Sequence, residues 1–308
     1  MTALLCPLLL DAQKKPPKPA EANPAIAYEA RSFSGYDNDL MAMDADGANQ
    51  VRLVRGGDNL TPSWSPDGDW IAFARSALAA PGIYMVRPDG SGLCQIVQTT
   101  GLEAHGAPAW SPEPDAAGDY WIVYADRLVG DTRPDLFASR AACGAAERWQ
   151  LTDTAGWESW PAWSPDGRLA AYVEGDIHVF DIVSNALGGI DLAPAANLTS
   201  TGPLAGGVVS GPSWTSDGTE LLVSGLAELW IISAATPGIA TQLTDSEDVF
   251  EGRASWSADR TRITFDAAGD LYVADIASNF GSWTLAEPVL LLRARRSAFG
   301  HPSWRPIQ

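Results

Sequence analysis

The chain has 308 residues, 46% of them hydrophobic, with a formal charge of −18 and a pI near 4.4. That charge repels phosphate backbones and sets nucleic acid aside as a partner, and no apolar run reaches the roughly 18 residues of a membrane span. Thirteen tryptophans stand against three histidines, which leaves little material for general-base or zinc chemistry.

Residues 1–24 differ in character from the rest of the chain. Ala3–Leu10 is a short apolar run broken by Pro7, with no Lys or Arg ahead of it, and Cys6 follows Leu5, where a lipid-anchored cysteine has a small residue. Asp11–Asn23, with Lys14, Lys15 and Lys18 among Pro16, Pro17 and Pro19, reads as an extended linker. The segment is therefore read as a signal-like run and a linker, and the chain is expected in the periplasm or cell envelope. Three Lys against Asp11 and Glu21 give this segment +1, leaving −19 on residues 25–308, the expected folded domain.

From Ile26 onward the pattern is β. Ile26–Tyr28, Asp39–Met43 and Gln50–Leu53 read as three strands. A tryptophan motif then recurs: Pro62-Ser-Trp64-Ser-Pro-Asp-Gly68, Pro108-Ala-Trp110-Ser-Pro112, Pro161-Ala-Trp163-Ser-Pro-Asp-Gly167, Pro212-Ser-Trp214-Thr-Ser-Asp-Gly218, Ala254-Ser-Trp256-Ser-Ala-Asp259 and Pro302-Ser-Trp304-Arg-Pro306. Successive Trp numbers differ by 46, 53, 51, 42 and 48, and periods of about 40–50 residues with β signals mark a propeller. Each Ser-Pro-Asp-Gly is tight-turn chemistry, since Pro presets φ and Gly accepts a positive one. A second strand (Trp70–Phe73, Trp121–Tyr124, Leu169–Tyr172, Leu221–Val223, Ile263–Phe265) follows the turn. Third strands (Ile83–Val86, Asp135–Phe137, Asp176–Phe180, Glu228–Ile232, Asp270–Val273) and fourth strands (Gln95–Val97, Trp149–Thr152, Asn197–Thr199, Gln242–Thr244, Val289–Leu291) complete each repeat. Four antiparallel strands make one blade. The N-terminal strands lack a Trp strand, and the last Trp strand, His301–Pro306, lacks successors. The two ends thus predict an all-β, six-bladed propeller closed by pairing of its N- and C-terminal strands, which removes the free sheet edges. Each repeating Trp is expected to wedge between blades.

The Pro-x-Trp-Ser-Pro-Asp-Gly turns, the Ile-Ala-Phe/Tyr strands and the Asp-Leu/Ile-Tyr-Val strands together resemble the TolB family and the related propellers of prolyl-oligopeptidase-type enzymes. The resemblance spans roughly Ala25–Pro306. It implies the fold, which hosts many functions. TolB carries an α/β domain ahead of its propeller that residues 1–24 are too few to hold, and the Gly-x-Ser-x-Gly elbow of the oligopeptidase hydrolase domain does not occur in this sequence.

Loop parity places the tight turns on one face of the disc and the lead-ins to the Trp strands on the other, where longer, unlike loops display binding residues. The lead-ins supply Asn59, His105, Trp157, Glu158, Trp160, Phe250, Glu251, Arg253, Phe299 and His301 as candidate ligand- or partner-binding residues at the channel mouth. Glu158 and Glu251 are also a family habit of TolB-like repeats. No catalytic constellation and no cofactor is expected, although His and carboxylate at the mouth leave a channel metal open. Arg31, Arg75 and Arg127 follow second strands and read as loop-pinning residues, with an anion clamp as the sharper alternative. Asp44-Ala-Asp46-Gly47 reads as a hairpin turn, and His178 as a structural mid-strand residue. Cys94 and Cys143 fall in comparable loops of neighbouring repeats, and a disulfide and two free thiols both remain open. The expected function is a monomeric, non-catalytic binding propeller that presents one face to a protein partner or small ligand. The alternative is an enzyme of glycoside-hydrolase or lyase type, its aromatics stacking on a saccharide and its carboxylates handling protons.

Overall fold

A computed structural model describes residues 24–31, 37–76, 80–99, 106–145, 147–185, 188–245, 251–279, 282–293 and 299–306. The described residues form six antiparallel sheets arranged as a six-bladed β-propeller. Blade 1 is the closure blade. Its inner strand is Phe299–Trp304, followed outward by Ile26–Arg31, Asn38–Met43 and Val51–Val54. The pairing of Ile26 with Trp304 and of Ala30 with Phe299 joins the two ends of the chain as the repeat pattern predicts. Blades 2 to 6 have the inner strands Asn59–Trp64, Ala109–Trp110, Glu158–Trp163, Val208–Trp214 and Glu251–Trp256.

The buried side chains divide into six clusters, one for each seam between neighbouring blades. The repeating Trp sits in these seams. Trp64, Trp110, Trp214, Trp256 and Trp304 are buried, and three of the indoles donate to the preceding blade: Trp64 to the Ser303 carbonyl at 3.1 Å, Trp110 to Ser63 at 3.0 Å and Trp214 to Ala162 at 3.0 Å. Arginines cover several rings from the adjoining blade, as Arg305 does over Trp64 and Arg262 over Trp304.

The tight turns form as their residues dictate. In blade 2 the Ser65 hydroxyl accepts from Trp70 N at 2.9 Å and donates to Asp67, while Gly68 takes φ +68°. Blade 6 has Arg260 where Gly is expected and still adopts φ +61°. The Asp44–Gly47 segment is a hairpin turn closed by Gly47 N on Asp44 O. Cys94 and Cys143 are bonded to each other and tie the outer part of blade 2 to blade 3.

Three elements differ from the sequence reading, the fourth strand of blade 5 being Ala240–Gln242 instead of Gln242–Thr244. The fourth strand of blade 4 is Ile190–Asn197, not Asn197–Thr199, because the third strand runs on to Ser184 and forms a long hairpin with it. Blade 6 carries an added strand, Ser282–Leu285, on an extension of its third strand, Asp270–Asn279. Trp283 of that addition folds back on Trp256 and donates to Glu220 at 2.8 Å.

Candidate functional site

Outside blade 3, each inner strand shifts register against its second strand just ahead of its Trp. In blade 2, Leu60 pairs with Ala74 and Ser63 with Ala72, so Thr61 and Pro62 together oppose Phe73. Corresponding shifts occur at Trp160-Pro161, Gly211-Pro212 and Arg253-Ala254, and His301-Pro302 sits against the shift in its partner strand. These are β-bulges, and Pro is tolerated in them because no ladder bond needs its missing N–H. The residue three before each Trp is twisted into left-handed backbone in five blades: Thr61 at φ +52°, Ala107 at +24°, Trp160 at +55°, Arg253 at +47° and His301 at +45°. Gly211 holds the sixth position.

These six residues turn toward the axis, where all of them line a cavity of about 540 Å³. The cavity runs along the Pro-x-Trp strands to Pro66 and Pro165, which open tight turns of the opposite face, and to Pro112 and Pro306. At its inner end the ring has two unlike halves. Blades 3, 4 and 5 contribute Ala107, Trp160 and Gly211. Blades 6, 1 and 2 contribute Arg253, His301 and Thr61. The Trp160 indole crosses the axis and stacks on the His301 imidazole of the opposed blade, with centroids 4.9 Å apart and planes 19° apart. Gly211 makes this possible: a Cβ there would meet Trp160 Cβ at 2.4 Å.

Behind the polar half lies a carboxylate absent from the sequence expectation. Glu29, on the second strand of blade 1, is buried and stands 2.6 Å from His301 Nδ1. It accepts from Thr61 N at 3.3 Å and lies 3.7 Å from Arg253. Burial alone would raise the Glu29 carboxyl, but His301, Arg253 and the Thr61 N–H outweigh it and hold the pKa below the ordinary glutamate value. Asp266 occupies the matching register position in blade 6, opposite Gly252 as Glu29 is opposite Gly300. Burial raises its pKa, with Arg253 and His301 pulling the other way. His301 Nε2, Thr61 Oγ1 and Asp266 Oδ1 are buried without a hydrogen-bond partner.

Of the expected mouth residues, the structure thus brings Trp160, Arg253 and His301 together on the cavity. Asn59 is buried and structural: it donates to Asn38 O and Gly56 O and receives Arg75 Nε at 3.0 Å, which also makes Arg75 a loop-pinning residue. Glu158 is buried and accepts from Thr154 at 2.7 Å, outside the cavity lining. Trp157 is half-buried, its N–H on Glu174 at 2.6 Å. His105 and Phe250 lie outside the described residues, as do the side chains of Glu251 and Phe299. His178 stacks on Phe180 within its strand, and burial lowers its pKa. Among the described residues no group of three or more His, Cys, Asp or Glu is arranged to hold a metal, and no helix is long and apolar enough to cross a membrane.

No protein-family model matches the chain. Over 142 residues it is 34% identical to an uncharacterized protein of Agrobacterium fabrum, a match covering 44% of this chain and 46% of that one. Over 73 residues it is 30% identical to the Tol-Pal system protein TolB of Geobacter sulfurreducens, covering 24% of this chain and 16% of that protein. The chain therefore spans less than half the length of these curated relatives. Among solved structures it is similar to TolB from Acinetobacter baumannii, with a TM-score of 0.69 at 19% identity over 92% of this chain and 67% of that one. A putative TolB from Agrobacterium tumefaciens gives 0.56 at 14% over 92% and 99%. The periplasmic gluconolactonase of Pseudomonas aeruginosa gives 0.56 at 14% over 86% and 83%. The fold is that of a TolB-like propeller.

Proposed function

We propose that this TolB-like propeller is an exported, non-catalytic binding module that receives its ligand or partner at the axial cavity and the face around it. The cavity carries the reading. It is preformed, its walls come from the inner strands of the blades, and its shape is fixed by bulges rather than by loops. Rigid scaffolds with concave, mostly apolar sites and a few placed polar groups are the usual form of a binding site. The Cys94–Cys143 bond supports an oxidising compartment, and the acidic body favours a partner whose contacts outside the cavity are neutral or basic.

The test is a photo-crosslinking amino acid placed at Asp115, on a tight turn of the face the cavity reaches, and at exposed Val289 on an outer strand, in cells of the source organism. A discrete crosslinked species from position 115 and none from position 289 is expected. No species from position 115, or equal labelling from both positions, overturns the reading.

A catalytic reading draws on one observation. Glu29 and Asp266 flank His301 and Arg253, and their environments move the two carboxyls in opposite directions, the pattern that separates an acid from a base. Glu29 is buried, however, and Asp266 lies outside the cavity lining, so neither carboxyl is presented to a substrate. Turnover of chromogenic glycosides or of aliphatic lactones, abolished by Asp266→Asn, would replace the binding reading with this one.

A further inference from the structure

We propose that the inner end of the axial cavity is a carboxylate-binding site, in which Arg253, His301 and Thr61 receive the carboxyl group and Trp160 with the channel prolines receives an apolar body. This rests on the reading of the cavity as a binding site and names the chemistry it takes.

The division of the bulge ring is the first ground. Its polar members come from three consecutive blades and its apolar members from the other three, so the cavity end presents one hydrogen-bonding wall and one apolar wall. A ligand that fits is polar at one end and apolar along its flank. Trp160 crosses the axis, so the ligand enters from the side of Pro66, Pro112, Pro165 and Pro306 and meets the ring end-on.

The unsatisfied atoms are the second ground, and with Arg253 they call for an acceptor group at the polar end, which a carboxyl supplies. His301 is 7% exposed, and its Nδ1 is committed to Glu29, while its Nε2 is buried without a partner on a residue that lines the cavity. Thr61, 4% exposed, lines the same end with an unpartnered Oγ1. Native buried polar atoms are almost always paired, so such atoms mark the place of a ligand or water. Arg253 adds a guanidinium whose contact with Glu29, at 3.7 Å, is longer than a hydrogen bond and whose side chain is 39% exposed. Two carboxyl oxygens can accept from Arg253 and Thr61 together, and Arg is suited to that planar recognition. Imidazole Nε2 is satisfied by a carboxyl in either protonation state, since the proton between them can sit on nitrogen or oxygen. An amine cannot serve Arg253, and an aliphatic group serves none of the three.

The carboxyl could belong to a free small acid or to the C-terminus of a peptide. Benzoate and the dipeptide acid N-acetyl-alanyl-proline represent the two sources, with benzamide and the dipeptide amide as isosteric controls. Each is titrated calorimetrically into the intact protein, with ligand-observed NMR for weak binders. At least one acid should bind, and its amide should bind roughly tenfold weaker or less, as loss of a charged hydrogen-bond pair implies. A tighter dipeptide assigns a peptide terminus, and a tighter benzoate assigns a free acid. Arg253→Gln should abolish binding with its melting transition retained, and Arg253→Lys should restore part of it. If Arg253→Gln fails to fold, the acid-to-amide ratio on the unchanged protein decides alone. Amides or a neutral polyol such as sorbitol binding as well as the acids, or no acid binding at about 10 mM, overturns the proposal. Crosslinking at position 115 that persists in that case confines the failure to the carboxylate, whereas loss of both removes the cavity as a binding site.

Discussion

Replacing Glu29 tests whether the buried carboxylate holds the closure seam together. Glu29 serves groups from three blades: His301 Nδ1 at 2.6 Å, Thr61 N at 3.3 Å and Arg253 at 3.7 Å. In Glu29→Ala the His301 ring and the Thr61 N–H stay buried without an acceptor. Each orphaned group costs about 1–3 kcal/mol, and deleting one partner of a buried charged pair costs about 3–5 kcal/mol, so a loss of about 3–5 kcal/mol is expected. Glu29→Gln keeps one oxygen, for either His301 Nδ1 on Oε1 or Thr61 N on Oε2 but not both, and loses the charge, which sets its loss at about 1–3 kcal/mol. Urea denaturation reads both as a lower midpoint at unchanged slope. The pH dependence has a definite sign. The folded pKa of Glu29 lies below its ordinary 4.5, so its contribution is fully present above that value and fades as pH falls through it toward the folded pKa. The advantage of the native chain over Glu29→Gln should therefore close in acid. Asp266 runs the other way: its folded pKa is raised above 3.8, so stability is lost as pH rises through that value, and Asp266→Asn should hold or gain stability near neutrality. A Glu29→Ala loss under about 1 kcal/mol, or a gap to Glu29→Gln that widens in acid, would show that this carboxylate does not organise the seam.

Two further perturbations probe the ring and its plug. Cys94 and Cys143 are 49 residues apart, so their double replacement by Ser should cost about 4 kcal/mol by loop entropy, read as a lower melting temperature that dithiothreitol no longer changes; equal melting of both proteins would refute the crosslink. Gly211→Ala should cost about 1–3 kcal/mol by overpacking, because its Cβ meets Trp160 at 2.4 Å. Adding Trp160→Ala should remove most of that penalty in a double-mutant cycle, and additive losses would mean that the indole does not lie over Gly211.

The fold was legible because its signals are local and repeated. A Trp wedge six times over, followed in four copies by a tight turn at a fixed offset, needs no knowledge of what touches what, and the missing first strand at one end matches the surplus strand at the other. Blade 4 escaped this logic where its third and fourth strands lengthen from Asp176 to Asn197, since the extension lies beyond the repeat. Ser282–Leu285 escaped it for the same reason. The site was half legible. Trp160, Arg253 and His301 were found as lead-in residues by position alone. Glu29 was not, because its partner His301 is 272 residues away and only the register of the closure blade brings the two together. A signal was present in the Pro two residues before the Trp. A proline inside an inner strand marks a bulge, a bulge turns the preceding residue inward, and the residues across from it on the second strand come next.

The bulge also explains where this fold keeps its variability. The Trp is fixed by the seam, the Ser and Asp by the turn, and the Pro by the bulge, so among the described cavity-lining residues the one three before the Trp is released from the repeat. The six copies are Thr61, Ala107, Trp160, Gly211, Arg253 and His301, a set with no shared size, charge or polarity. Left-handed backbone costs a non-glycine residue about 1–2 kcal/mol, and most for a β-branched one such as Thr61. Glycine would be the least strained choice at all six positions, and only blade 5 uses it, where Trp160 needs the space. Five strained side chains retained around one cavity are the pattern expected where backbone strain is held in place to position chemistry.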